Sequence, residues 1–77
     1  MIEIKMEFIG EGVDSVVFVQ WLKADGDAVL KGEAICEVES YKALLQIESP
    51  ASGILEGLKY KHGDIIQIPA VIGYMKS

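Results

Sequence analysis

The sequence predicts an all-β domain built as a pseudo-two-fold sandwich, and three observations lead to that prediction. Eight glycines and two prolines interrupt apolar or alternating runs along the chain, which is typical of many short strands joined by tight turns. No segment of about a dozen residues shows the apolar spacing of an amphipathic helix. The chain also repeats, since Gly26-Asp27-Ala28-Val29 matches Gly63-Asp64-Ile65-Ile66 at an offset of 37 residues. Two halves are therefore expected to close one core between them.

Eight strands are predicted, each ended by a turn signal. Glycine follows the first and third apolar runs, a Gly-Asp pair follows the second and sixth, and proline follows the fifth and seventh. The fourth run ends at the polar residues Ser40-Tyr41-Lys42, which form the centre of a predicted hairpin. The predicted strands span residues 2–9, 16–22, 28–30, 34–40, 43–48, 53–59, 65–68 and 71–76.

Composition and charge restrict the function. Seventy-seven residues are expected to form one domain, residues 1–77, with a stability on the order of 5 kcal/mol. The formal net charge of −5 and the lack of arginine argue against nucleic-acid binding, which needs clustered basic side chains. An acidic surface instead favours a soluble partner with a basic docking face. No apolar stretch approaches the length of a membrane span, and no secretory signal opens the sequence.

Lys42 is the candidate functional residue. It stands in the run Glu-Val-Glu-Ser-Tyr-Lys-Ala-Leu-Leu-Gln-Ile-Glu at residues 37–48, where two strand-like stretches flank a short polar centre. The pattern predicts a hairpin with Lys42 at its turn, where an enzyme could reach and acylate the amine. The alternative is a solvated turn residue with no function. Composition alone favours that alternative, because lysines are mostly exposed.

The other candidate residues point to little chemistry. Cys36 is the single cysteine and is predicted to be a small buried hydrophobe in a reducing compartment. His62 has no second histidine to complete a zinc site, so we interpret it as a solvated turn residue. Glu37 and Glu39 share one face of a strand, either as a solubilising surface or as a recognition surface. Gly10-Glu11-Gly12 lacks the strand-to-helix context of a phosphate loop and is interpreted as a mobile surface loop beside the lysine turn.

Five segments in register resemble the lipoyl domain of the acyltransferase component of 2-oxo acid dehydrogenase complexes. The resemblance covers essentially the whole chain and includes the segment around Lys42, which matches the family's Cys-Glu-Val-Glu-Thr-Asp-Lys-Ala. The matching segments are Ile9-Gly10-Glu11-Gly12, Trp21-Leu22-Lys23 with Gly26-Asp27, Cys36-Glu37-Val38-Glu39-Ser40-Tyr41-Lys42-Ala43, Ile47-Glu48-Ser49-Pro50-Ala51-Ser52-Gly53, and Gly63-Asp64 with Ile72-Gly73.

The resemblance implies a carrier that is not itself an enzyme. The implied fold is a flattened barrel of two four-stranded antiparallel sheets with pseudo-two-fold symmetry, a barrel-sandwich hybrid with the lysine at a hairpin tip. Lys42 is implied to bear lipoic acid in amide linkage and to carry acyl groups and reducing equivalents. The implied partners are a thiamine-dependent 2-oxo acid decarboxylase, dihydrolipoamide dehydrogenase, an acyltransferase core, and a lipoate ligase or lipoyltransferase. The residues implied to form the recognition turn and its adjacent loop are Glu39, Ser40, Tyr41, Ala43, Glu11 and Gly12.

Two segments depart from the family pattern. Tyr41 stands where the family has aspartate, and Val13-Asp14-Ser15-Val16 replaces a loop that often contains threonine and glutamate. These departures suggest an unusual member, serving an uncommon complex or modified by an uncommon ligase. We expect the chain to be the front of a longer acyltransferase in the cytoplasm, or in the mitochondrial matrix if the source is eukaryotic.

Two alternatives remain open at this point. A biotin carrier domain of a carboxylase would have the same architecture, but the biotin family places methionine on both sides of its lysine, whereas Tyr41 and Ala43 flank Lys42 here. An unmodified lipoyl-like interaction module, in which Lys42 is incidental, is supported mainly by the Tyr41 departure. A 2-oxo acid and acetoin are both possible sources of the acyl group.

Overall fold

The computed structural model describes residues 1–7, 10–41 and 43–77, and these form eight strands. Each predicted strand is present, with small differences at the ends. The predicted end of the first strand, at Phe8 and Ile9, and the predicted hairpin tip, at Lys42, lie outside the described residues. The strands are β1 Ile2–Met6, β2 Ser15–Trp21, β3 Ala28–Val29, β4 Ala34–Ser40, β5 Ala43–Glu48, β6 Gly53–Glu56, β7 Ile65–Gln67 and β8 Ala70–Lys76.

Strand β1 ends at Met6, so Glu7 lies outside it, and strand β6 is also shorter than predicted. It was predicted to continue to Lys59, but it ends at Glu56 because Gly57 adopts a left-handed backbone with φ of 62°. That conformation is incompatible with an extended strand and is readily adopted by glycine. The chain turns there, and the Lys59 amide donates a hydrogen bond to the Ile72 carbonyl at 3.0 Å.

The strands form two four-stranded antiparallel sheets, which confirms the predicted fold class. One sheet has the order β1-β8-β6-β3 and the other has the order β5-β4-β2-β7. Each strand of the first sheet has its equivalent at the same place in the second sheet, four strands further along the chain. The chain is counted as a cycle for this purpose, so that β1 corresponds to β5 and β8 corresponds to β4. The two halves of the chain therefore occupy equivalent places in the two sheets, as the 37-residue repeat predicted.

Backbone hydrogen bonds repeat at the same offset of 37 residues. The Gly26 amide donates to the Leu55 carbonyl at 2.7 Å, and the Gly63 amide donates to the Phe18 carbonyl at 2.9 Å. The returning bonds match as well, from the Leu55 amide to Asp27 at 2.9 Å and from the Phe18 amide to Asp64 at 2.7 Å. Each Gly-Asp turn thus extends the pairing with a strand of the other half, β3 with β6 and β7 with β2, and this exchange holds the two halves together.

The core lies between the sheets and draws on both halves. Phe18 and Leu55, which are equivalent in the repeat, are both almost completely buried, as are Ile35 and Ile72. Trp21 is half-buried at the edge of this core, with its ring centroid 5.3 Å from that of Phe18 and its indole N–H donating to the Lys59 carbonyl. The described residues include no helix that is long and apolar enough to cross a membrane.

A substitution at Gly53 tests the close approach of β6 to the end of β8. A Cβ atom at this position would lie 2.6 Å from the Lys76 carbonyl oxygen, which forces the backbone to shift. We expect Gly53→Ala to lower the free energy of unfolding by about 1–3 kcal/mol, measured by urea denaturation. Gly10→Ala is the control, because its Cβ would meet only a Val13 methyl at 3.7 Å. Equal stability of the two variants would contradict the close approach.

Candidate functional site

The hairpin between β4 and β5 is the candidate site, and its register leaves a two-residue loop. The two strands pair from Ala34 and Glu48 up to Ser40 and Ala43, so Tyr41 and Lys42 connect them in sequence. Tyr41 has a φ of 53°, the left-handed conformation that a two-residue hairpin turn of type I′ requires. Tyrosine adopts this conformation less readily than asparagine, aspartate or glycine. The site therefore begins with a strained residue immediately before the predicted attachment residue, which lies outside the described part of the chain.

The Tyr41 side chain connects this turn to the loop between β1 and β2. Its hydroxyl donates a hydrogen bond to the Gly12 carbonyl oxygen at 3.0 Å, across 29 residues of sequence. The loop is also closed on itself, because the Val13 amide donates to the Gly10 carbonyl at 3.1 Å. At the end of the loop nearest β2, the Ile68 amide donates a hydrogen bond to the Asp14 carbonyl at 2.9 Å. Turn and loop thus form one continuous surface.

The remaining predicted recognition residues divide between the surface and the interior. Glu39, Ala43 and Glu11 are exposed, and Glu11 lies in the same loop as Gly12. Ser40 is buried, because alternation along β4 turns its side chain towards the core. Among the described residues of the turn, Glu39, Tyr41 and Ala43 are therefore the exposed ones, and the loop residues lie beside them.

Glu37 occupies the same outer face as Glu39 but is held by its neighbours. Its carboxylate accepts hydrogen bonds from the Gln20 side-chain amide at 2.7 Å and from the Gln46 side-chain amide at 3.4 Å. These glutamines lie on the strands to either side of β4. Glu37 therefore helps to tie three strands together, whereas Glu39 lies two pairs closer to the turn.

Three residues that the sequence did not identify as site residues also lie beside the turn. Asp14, Val17 and Ile65 line a shallow depression together with Glu39 and Tyr41. Val17 is directly opposite both Glu39 and Ile65 in the register of the sheet. The strand order brings these residues together, and the sequence alone does not contain that order.

The histidine, the cysteine and the carboxylates that the structure describes are the side chains that a metal site or a reactive thiol would use. They include no group of three or more His, Cys, Asp or Glu side chains that could hold a metal ion. The His62 Nδ1 lies 2.9 Å from the Val19 carbonyl oxygen on an exposed turn. Cys36 is buried, as predicted, and desolvation raises the pKa of its thiol to about 12, with the neighbouring Glu37 carboxylate adding to the rise.

Comparisons with known proteins give a consistent result. The family model Biotin_lipoyl, described as "Biotin-requiring enzyme", matches residues 2–75. The dihydrolipoyllysine-residue succinyltransferase component of the 2-oxoglutarate dehydrogenase complex of Bacillus subtilis is 34% identical over 95% of this chain and 18% of that protein. The lipoamide acyltransferase component of the mitochondrial branched-chain alpha-keto acid dehydrogenase complex of Mus musculus is 35% identical over 88% of this chain and 14% of that protein. The chain thus spans less than a fifth of the length of these relatives.

A solved structure shows the same fold. The lipoyl domain of the 2-oxoglutarate dehydrogenase complex from Azotobacter vinelandii superimposes with a TM-score of 0.78, covering 100% of this chain and 98% of that one at 23% identity. The two-sheet architecture is therefore shared along the whole chain.

Removing the Tyr41 hydroxyl tests the connection between turn and loop. In Tyr41→Phe the hydrogen bond to the Gly12 carbonyl is lost, so we expect faster hydrogen exchange at the Val13 amide. The free energy of unfolding should fall by no more than about 1 kcal/mol, because the bond is exposed. Tyr74→Phe, on β8, is the control and should leave the Val13 exchange rate unchanged. An unaltered rate in Tyr41→Phe would show that the hydroxyl does not order the loop.

The burial of Cys36 predicts slow thiol chemistry in the folded protein. The thiolate is the reactive form, so we expect iodoacetamide at about pH 8 to label Cys36 slowly in buffer and rapidly in urea. The raised pKa also sets a sign for stability, since a neutral buried thiol favours the fold. That contribution is complete below the ordinary thiol pKa of 9.0 and is lost as the pH rises towards about 12. Equal labelling rates in buffer and in urea would contradict the burial.

Proposed function

The chain belongs to the Biotin_lipoyl family, and on that premise we propose that it is a carrier domain that bears lipoic acid in amide linkage on Lys42. The observation that supports the proposal best is the register of the β4–β5 hairpin, in which Ser40 and Ala43 form the last pair. That register makes Lys42 the second of two connecting residues in the sequence. The relatives named above are dihydrolipoyllysine and lipoamide proteins, which favours lipoic acid over biotin.

The residues around the attachment position fit a long acyl substituent. Tyr41 is 78% exposed and Ala43 is exposed, so an attaching enzyme can approach the lysine from both of its neighbours. Bound lipoic acid supplies a dithiolane ring that can accept an acyl group together with reducing equivalents. The domain contributes the position of the amine, because strand register fixes the turn.

A rigid base is what this chain adds to the chemistry of a larger assembly. The hairpin is rooted in β4, whose Ile35, Cys36 and Val38 are fully buried in the core. Motion is then confined to the substituent, and tethering raises its effective concentration at each enzyme that it visits. The described residues need to supply neither a nucleophile nor a base for such a role.

We propose that the whole protein is the acyltransferase of a 2-oxo acid or acetoin dehydrogenase complex. Its partners would be a thiamine-dependent decarboxylase, dihydrolipoamide dehydrogenase, the acyltransferase core and a lipoate ligase or lipoyltransferase. The net charge of −5 and the exposed Glu11 and Glu39 would suit basic docking faces on these partners.

Intact mass after exposure to an attaching enzyme tests the proposal. The protein is incubated with ATP and a lipoate ligase plus lipoate, and in parallel with a biotin ligase plus biotin. We expect a single lipoyl addition and no biotinyl addition. Lys42→Arg should abolish the addition completely, because the guanidinium group is not an acceptor for the ligase. Lys31→Arg, at an exposed turn, is the matched control and should be lipoylated at the normal rate.

The other outcomes correspond to the alternatives. A biotinyl addition in place of the lipoyl one would indicate a biotin carrier. No addition from either ligase, or an addition that survives Lys42→Arg, would contradict attachment at Lys42. No addition at all would favour an interaction module without a cofactor, and an addition that survives Lys42→Arg would indicate attachment at another lysine.

A further inference from the structure

An exposed apolar strip crosses the outer face of one sheet beside the hairpin. Val17 on β2 is 38% exposed and Ile65 on β7 is 68% exposed, and the two are direct cross-strand partners. Glu39 on β4 is the partner of Val17 on the other side. Neighbouring aliphatic side chains on an outer face keep apolar surface in contact with water, so covering that surface is favourable.

The strip is walled by Tyr41 and edged with carboxylates. A single depression, which we call the turn-side depression, is lined by Asp14, Ser15, Val16, Val17, Glu39, Tyr41 and Ile65. The Tyr41 ring is held in place by the hydrogen bond from its hydroxyl to Gly12, although the side chain is largely exposed. The Tyr41 ring and the aliphatic side chains of Val17 and Ile65 therefore contribute apolar surface to the same depression next to the turn.

We propose that the turn-side depression is a resting dock for the lipoyl arm of the same molecule, and this proposal rests on the function proposed above. The occupant is covalently joined to the residue after Tyr41. With single bonds of about 1.5 Å, a lysine side chain extended by lipoic acid spans on the order of 13 Å. Neighbouring strands are about 4.8 Å apart, so Val17 and Ile65 lie one and two strand spacings from β4. Both residues are level with the Glu39–Leu44 pair, two residues from position 42 in the sequence, which adds about 7 Å along the strands. The arm therefore reaches Val17 and, at nearly full extension, Ile65.

The chemistry of the depression fits the neutral oxidised arm better than an anionic ligand, because two carboxylates, Asp14 and Glu39, belong to its lining. The arm is a neutral alkyl chain that ends in a disulfide ring, so its burial against Val17 and Ile65 removes apolar surface from water. A ring sulfur beside the Tyr41 face makes a favourable sulfur–aromatic contact. Asp14 and Glu39 stand at the edge, where they remain solvated and gain nothing from a neutral occupant.

Nuclear magnetic resonance of the complete chain with lipoyl-lysine at position 42 tests the dock. The modified residue is introduced by semisynthesis, so that the result does not depend on whether a ligase accepts the protein. Acetyl-lysine at the same position is the matched control, because it removes the same positive charge but is too short to reach Ile65. We expect nuclear Overhauser contacts from the arm methylenes to the Val17 and Ile65 methyl groups in the lipoyl form alone.

Variants on the two sheets give a second comparison. Val17→Ser and Ile65→Ser should each cause loss of the arm contacts to the depression. Ile54→Ser is the matched control, since Ile54 occupies the position equivalent to Val17 on the opposite sheet and is 45% exposed. It should leave the contacts unchanged. The contacts should also persist at high salt, because an apolar dock is not screened as charge pairing is.

Three results would overturn the dock. The first is a set of lipoyl-induced shifts that matches the acetyl-induced set and is confined to residues 40–44. The second is arm contact with Leu44, the exposed residue next on β5, without contact to Val17 or Ile65. The third is a salt-sensitive chemical-shift change of the depression on addition of a decarboxylase, together with no arm contact when the decarboxylase is absent. That result would make the depression a protein docking surface. Ligase-catalysed lipoylation is measured separately by mass. Its failure would contradict the proposed function but would not change the result of the test for the dock.

Discussion

The exchange of backbone hydrogen bonds between the two halves is the constraint on which the domain depends. The Gly26 and Gly63 amides each donate to a strand of the opposite half, and the accepting residues, Leu55 and Phe18, are buried in the shared core. Neither half can satisfy these groups or cover its own apolar face alone. An unpaired backbone group in the core would cost on the order of 1–3 kcal/mol. Folding of one half is thus coupled to folding of the other.

That coupling gives the hairpin its stiffness. Strand β4 pairs with β2 on one side and β5 on the other, so it is an interior strand with both sets of backbone groups engaged. Its alternate residues are anchored in the core, and Glu37 joins the outer surfaces of the same three strands through Gln20 and Gln46. The turn therefore extends from the most constrained part of the sheet. A carrier benefits from this arrangement, because any motion of the base would dilute the advantage of a tethered substituent.

The sequence was sufficient for the strands and the symmetry but insufficient for the neighbourhood of the turn. Alternation and turn residues are local signals, and the Gly-Asp repeat extends them to the relation between halves. The side-by-side placement of Val17, Glu39 and Ile65 depends on strand order and register, which local patterns do not encode. Ser40 is one of the residues of the predicted recognition turn, and the alternation of β4 places its side chain in the interior. The bond from Tyr41 to Gly12 joins residues 29 apart and has no sequence signal.

Tyr41 reconciles two demands that meet at one residue. A left-handed turn position favours a short polar side chain, since asparagine or aspartate can bond to its own backbone and offset the strain. Such a side chain does not reach beyond the turn. The tyrosine hydroxyl does reach, and its bond to the Gly12 carbonyl offsets the strain with a contact to a distant loop. Tyrosine is less suited to the turn conformation, but its side chain connects the turn to the loop between β1 and β2. An enzyme that attached the proposed substituent would meet the loop and the tyrosine ring as one surface, and so would the substituent itself.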